Sequence, residues 1–128
     1  VIGQDQKIEW EPCTDDIEYE LLCGTLDVPF DYENPSIGQF TLSLVMRPAD
    51  DRSQRIGSLL VNPGGPGFGG TTIAENASSY LSERLLNVFD IVGWDPRGTG
   101  WSTPAIDCIE TSTSPLTRHH LMMRKSKS

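Results

Sequence analysis

Little in these 128 residues could neutralise a phosphate backbone: Lys and Arg together number 10 against 18 Asp and Glu, a formal net charge of -8. A surface of that sign repels nucleic acid, which is therefore excluded as an expected partner. No apolar run approaches the ~20 residues needed to cross a bilayer, so no membrane span is expected. Cysteine is scarce, with residues at 13, 23 and 108 and no C-x-x-C. His119 and His120 are adjacent and poorly placed to share one ion. Neither a metal nor any other cofactor is expected.

Three cysteines leave at least one without an intrachain partner. A Cys13 to Cys23 bridge would close a small N-terminal loop in an oxidising compartment and leave Cys108 over; three free thiols are the alternative. Asn76-Ala77-Ser78 is a glycosylation sequon, which counts only in a eukaryotic secretory pathway. Val1 in place of an initiating Met is compatible with a removed signal peptide and hence with secretion.

Hydrophobic residues at 37% and charged residues at 22% describe a globular chain, and 12 Gly with 9 Pro give much of it to turns. The length suits one domain or part of one. Residues 1–24 read as an acidic, irregular arm anchored by Trp10 and two cysteines. Residues 25–110 read as the core. Residues 111–128 carry the basic stretch from Arg118 to Lys127 and read as a disordered or foreign tail.

Within the core, residues 25–28 form a short β-prone run stopped by Pro29, and residues 31–35 supply turn chemistry. Phe40, Leu42, Leu44 and Met46 alternate with Thr41, Ser43, Val45 and Arg47, the period of a half-buried strand. Residues 56–61 are apolar on both faces, as in a central strand covered on both sides. A helix is expected over 71–88, with Ile73, Ala77, Tyr80, Leu81 and Leu85 near one face and Thr71 or Thr72 as its cap. Residues 89–94 read as a second buried strand. The whole is an α/β arrangement: antiparallel edge strands, then a parallel βαβ unit.

The chemistry falls in the glycine-rich loop between the first buried strand and the helix, where open α/β sheets place ligands. Its glycines let backbone N–H groups approach a ligand, and the following helix start adds partial positive charge. That reads as an anion or oxyanion site, or as a tight turn alone. A P-loop is excluded because no Lys follows the glycines. Residues 65–70 formally match G-x-G-x-x-G, but Pro66 removes a donor and no acidic residue ends the next strand. Nucleotide binding is the weaker alternative.

Two motifs carry a resemblance to a known family. Asn62-Pro63-Gly64-Gly65-Pro66-Gly67, followed by Asp95-Pro96-Arg97-Gly98-Thr99-Gly100-Trp101-Ser102, resembles the tripeptidyl and prolyl aminopeptidase branch of the α/β-hydrolases. The lead-in from Cys23 to Tyr32 and the Arg47 ending the long strand are similar to its secreted members. The resemblance covers about residues 10–108 and implies the N-terminal part of an α/β-hydrolase sheet. It further implies a secreted serine peptidase that releases residues or short peptides from peptide N-termini. Gly65 would supply a backbone N–H of the oxyanion hole, with Asp95, Arg97, Gly98 and Gly100 as scaffold beside it.

Such enzymes hold the nucleophile in G-x-S-x-G and place an acid and a His later in the chain. No G-x-S-x-G occurs here. Gly100-Trp101-Ser102-Thr103-Pro104 is the nearest approach, with Pro where the last Gly belongs, and Ser102 is not expected to be a nucleophile. Ser102, Asp107 and His119 follow triad order but sit in a loop and a tail without rigid support. Trp10, Trp94 and Trp101 are expected to pack rather than bind substrate. Asp95 is expected to hold its turn and pair with Arg97. The chain alone is therefore expected to be inactive, with a non-catalytic binding module as the reading from another class.

Overall fold

The computed structural model describes residues 5–13, 20–65 and 67–106. Its elements in chain order are β1 (Glu11–Pro12), β2 (Leu22–Pro29), β3 (Gln39–Arg47), β4 (Gly57–Val61), α1 (Thr71–Glu75), α2 (Ala77–Tyr80), α3 (Glu83–Val88) and β5 (Phe89–Trp94). The strands make one mixed sheet in the order β1-β2-β3-β5-β4. β1, β2, β3 and β5 are successively antiparallel, whereas β4 runs parallel to β5 with Leu59 opposite Ile91 and Val61 opposite Gly93. A parallel pair needs a crossover, and α1 to α3 provide it. The fold is α/β, with antiparallel strands leading into a βαβ unit.

One face of the sheet carries the core. Val45 of β3, Leu59 and Val61 of β4, and Phe89 and Ile91 of β5 occupy alternate positions and so share a face. They pack with Ala74, Ala77 and Leu86 of the helices. The small alanines let the crossover lie close to the strands. Gly93 is required at the tightest point, since a Cβ there would stand 2.1 Å from the Gly70 carbonyl oxygen and 3.2 Å from the Ala74 Cβ.

The crossover departs from the single helix expected over 71–88. Asn76 closes α1 and opens α2, its side-chain amide donating to the Thr72 carbonyl at 2.9 Å. Leu81 and Ser82 are both extended, so α3 starts afresh. Neither Thr71 nor Thr72 caps α1, whose N-cap is Gly70. The buried positions are Thr71, Ala74, Ala77 and Leu86, and Tyr80 is exposed. Helical spacing misassigned Tyr80 because two breaks reset the phase.

The faces of β3 also differ from the simple alternation. The row expected to face outward turns toward the helices, and its Val45 and Arg47 are 4% and 7% exposed. The apolar row Leu42, Leu44 and Met46 lies on the opposite face with Leu60, Val92 and Trp94. Together with Ile8, Trp10 and Leu26 these residues line an open groove of about 560 Å³. Among the described residues no helix covers it. β4, expected to be central, is the outer strand, and Leu60 is 64% exposed.

The strand pair nearest the N-terminus extends beyond the expected run, β2 beginning at Leu22 rather than Thr25. A Cys13 to Cys23 disulfide, with Cα atoms 5.0 Å apart, joins β1 to β2. The Gln6 side chain adds two hydrogen bonds to the Asp27 backbone, at 3.0 and 2.8 Å. At the opposite end of the sheet, the buried Asp90 accepts from Ala49 N–H at 3.0 Å and from Arg55 Nε at 2.6 Å. That carboxylate ties the connection before β4 to β5.

The two faces of the sheet predict opposite responses to substitution. Ile91 is fully buried on the helix face, so Ile91→Ala should destabilise the chain by about 2–5 kcal/mol. Leu60→Ser, on the bare face, should cost less than about 0.5 kcal/mol. Urea denaturation measures both, and Leu60→Ser should also lower the binding of an apolar dye.

Candidate functional site

Val61 and Trp94 end their parallel strands side by side, so the loops that follow leave the same end of the sheet. The first loop, residues 62–70, opens with the Asn62 side chain accepting from Gly64 N–H at 3.1 Å. Gly64, Gly65 and Gly67 then adopt φ of +69°, +66° and +93°, backbone that side-chain-bearing residues rarely enter. Phe68 N–H donates to the Gly65 carbonyl at 3.3 Å. Gly70 N–H then reaches the Trp94 carbonyl at 2.9 Å and returns the loop to β5. Gly65 and Gly67 are exposed, and among the described residues nothing accepts from their N–H groups. Such a loop can present backbone donors to a substrate oxygen. Pro66 lies outside the described residues.

The second loop is built around Asp95, which is 1% exposed. Its Oδ1 accepts from Thr71 N–H at 3.2 Å and from the Thr71 hydroxyl at 2.9 Å. Its Oδ2 accepts from Trp101 N–H at 2.8 Å. The Asp95 backbone N–H donates to the Ser43 carbonyl at 2.9 Å, and its carbonyl accepts from the Ser102 hydroxyl at 2.6 Å. Ser102 Oγ in turn accepts from Ser43 N–H at 2.9 Å. One buried aspartate and one buried serine thus join both loops, the start of α1 and β3.

The expected Asp95 to Arg97 pairing is not made. The carboxylate is filled by Thr71 and Trp101, and the Arg97 guanidinium lies over the Tyr32 ring, 5.3 Å from its centroid. Arg97 belongs to the loop's outer surface. Gly98 and Gly100 do serve the turn: φ is +73° and +52°, and a Cβ at Gly100 would meet Asp95 Oδ2 at 2.2 Å. Trp101 is 54% exposed rather than packed, whereas Trp10 and Trp94 line the groove on the bare sheet face. Asn76 is exposed, Cys13 directly follows β1, and Cys23 lies on β2.

Ser102 is 2% exposed, and its hydroxyl is engaged both as donor and as acceptor. An attacking hydroxyl needs a base and an open approach, and among the described residues Ser102 has neither. Asp107, Cys108, His119 and the basic tail lie outside the described residues. Among the described residues no group of His, Cys, Asp and Glu could hold a metal, and no helix is long and apolar enough to cross a membrane.

The dinucleotide alternative fails on electrostatics. A pyrophosphate would sit at the start of α1, but the Asp95 carboxylate already takes the Thr71 N–H there. α1 is also only five residues long, so it contributes little dipole. Glu75, at its far end, is held above the ordinary carboxyl range, first by partial burial and then by the nearby Asp95 charge. Sequence reasoning missed Thr71 and Ser102 as the partners of Asp95. The available signal was a small hydroxyl residue directly after Gly70 and another two residues after Gly100.

A mixed α/β sheet with a glycine loop beyond a parallel strand, locked to a second Asp-Pro-Arg-Gly loop, defines a segment of the α/β-hydrolase type. No family model matches the chain. It is similar to several named enzymes: 43% identical over 108 residues to the serine protease Hip1 of Mycobacterium tuberculosis, covering 80% of this chain and 20% of that protein. It is 46% identical over 87 residues to carboxylesterase B of the same species, covering 67% of this chain and 16% of that protein. Tripeptidyl aminopeptidase of Streptomyces lividans is 36% identical over 108 residues, again 80% of this chain and 20% of that protein. The chain thus matches the peptidase branch of the α/β-hydrolases and spans about a fifth of the length of these relatives.

Glu75 gives the site a measurable pH signature. Because its folded pKa lies above the ordinary value of 4.5, the neutral form is favoured by folding. That contribution is complete below pH 4.5 and is lost as pH rises through the folded value. Glu75→Gln should therefore stabilise the chain at pH 7, by less than about 1 kcal/mol given its solvent screening, and make no difference at pH 4. Thermal denaturation at the two pH values checks this.

Proposed function

We propose that this chain is the oxyanion-loop-bearing N-terminal part of a secreted serine peptidase, one that releases residues or short peptides from the N-termini of peptide substrates. The observation that carries the reading is the loop 62–70, whose positive-φ glycines expose N–H groups at the carboxyl end of a parallel strand. Gly65 is the donor to the developing oxyanion, a contact worth roughly 3 kcal/mol in the transition state of such enzymes. The relationship to a serine protease and a tripeptidyl aminopeptidase supports a peptide as substrate.

Alone, the chain is inactive. Its sequence has no G-x-S-x-G, and the serine nearest to that pattern, Ser102, is buried with both hydrogen-bonding roles filled. The bare apolar face and the open β4 edge support a part rather than a self-sufficient binding module. The parallel β4–β5 pair is of the kind ordinarily covered on both faces. A disulfide at Cys13 and Cys23 accords with secretion.

The test has two arms. The 128-residue chain should neither turn over a chromogenic tripeptide amide nor be labelled by a serine-reactive phosphonate. The same chain, exchanged for the matching segment of the Streptomyces lividans tripeptidyl aminopeptidase, should restore both. Labelling of the isolated chain at Ser102 would overturn the reading, as would a folded exchange enzyme that takes the label but has lost turnover.

A further inference from the structure

Asp95 does more than hold its own turn, because the space around its carboxylate is shaped by both loops. A Cβ at Gly69 would stand 2.2 Å from Oδ1, and one at Gly100 would stand 2.2 Å from Oδ2. Each loop therefore places a glycine directly against one carboxylate oxygen. The hydrogen bonds divide in the same way, with Thr71 on Oδ1 and Trp101 N–H on Oδ2. Gly70 N–H on the Trp94 carbonyl anchors the first loop one residue further along. Between Asn62 and this anchor, a 3.3 Å bond from Phe68 N–H to the Gly65 carbonyl links the loop's backbone.

We infer that Asp95 is a positioning residue for the backbone donors of Gly65 and Gly67, acting through Gly69, Gly70 and Thr71. This rests on the hydrolase reading for its catalytic meaning, but its geometry stands apart from it. A donor to an oxyanion is effective only when it is fixed before charge develops. Gly64, Gly65 and Gly67, all at positive φ, cannot fix themselves, since glycine imposes no backbone preference. The order must come from the loop's ends. At the β4 end the Asn62 side chain ties Gly64, whereas at the α1 end the loop meets a buried carboxylate bonded on both oxygens.

Asp95→Asn separates the two loops with little change of shape. With its oxygen kept toward Thr71, the new amide NH2 faces the Trp101 N–H, a donor against a donor. With the amide turned over, the NH2 faces the Thr71 N–H, again a donor against a donor, so either orientation breaks one backbone link. Thr71→Val is the milder variant, removing the hydroxyl bond while keeping the N–H bond.

The experiment is 15N relaxation on the full 128-residue chain, comparing the wild type with Asp95→Asn, Thr71→Val and a core control, Ile91→Val. In the wild type, Gly65 and Gly67 should show order parameters near the ~0.85 of rigid backbone. Asp95→Asn should bring both below ~0.6 while β3 and β5 stay rigid, and Thr71→Val should move them part of the way. Ile91→Val should leave them unchanged. Rigid glycines in Asp95→Asn, or glycines already mobile in the wild type, would overturn the inference. If Asp95→Asn does not fold, Thr71→Val decides alone, and unchanged glycines there overturn it. None of these readouts depends on hydrolysis, so failure of the peptidase reading would appear only in the turnover experiments.

Discussion

The buried Asp95 carboxylate is the constraint on which the functional end of the molecule depends. Burying a charge is costly unless its oxygens are satisfied, and this one is met by three donors from two segments. Its backbone and the Ser102 hydroxyl extend the same node to β3. Remove the carboxylate and the second loop, the start of α1 and the return of the glycine loop lose their common partner. The surrounding glycines follow from it, since Gly69 and Gly100 leave room for the carboxylate that any side chain would take. The carboxylate also explains why the helix start is not an anion site. Whatever the glycine loop binds must be met by N–H groups of the loop itself.

The sheet behind this node is strongly asymmetric. One face packs against α1 to α3 through alanines and a glycine that permit close approach, while the other presents leucines, methionine and two tryptophans to an open groove. The hydrophobic effect favours covering such a surface, roughly 25 cal/mol for each Å² removed from water. The outer β4 strand adds an unpaired edge among the described residues. Both features accord with a chain spanning a fifth of the length of its relatives.

Much of the fold was legible because it rests on strong local signals. The alternation from Phe40 to Arg47, the apolar runs at 56–61 and 89–94, and the glycine loop between them defined the βαβ unit and its order. What escaped was decided by tertiary contact. Val45 and Arg47 belong to the helix face although their row reads as polar. The crossover breaks at Asn76 and at Leu81, where side-chain bonding to Thr72 and extended backbone override a helical period. At the site, the glycines and Asp95 were visible from spacing, but the partners were not. Arg97 is the natural mate of Asp95 by charge, yet the buried carboxylate takes neutral donors and leaves the guanidinium on Tyr32. Ser102 reads as a loop hydroxyl and proves to be an internal tie.

The central claim is that the loop 62–70 supplies the oxyanion donor of a serine peptidase. The most direct measurement is a crystal structure of the Streptomyces lividans enzyme carrying this segment, inactivated by a peptidyl phosphonate. The account predicts a phosphonyl oxygen about 2.7–3.1 Å from the Gly65 backbone nitrogen, with Asp95 still bonded to Thr71 and Trp101. A phosphonyl oxygen held elsewhere, with Gly65 N–H turned to solvent, would contradict it.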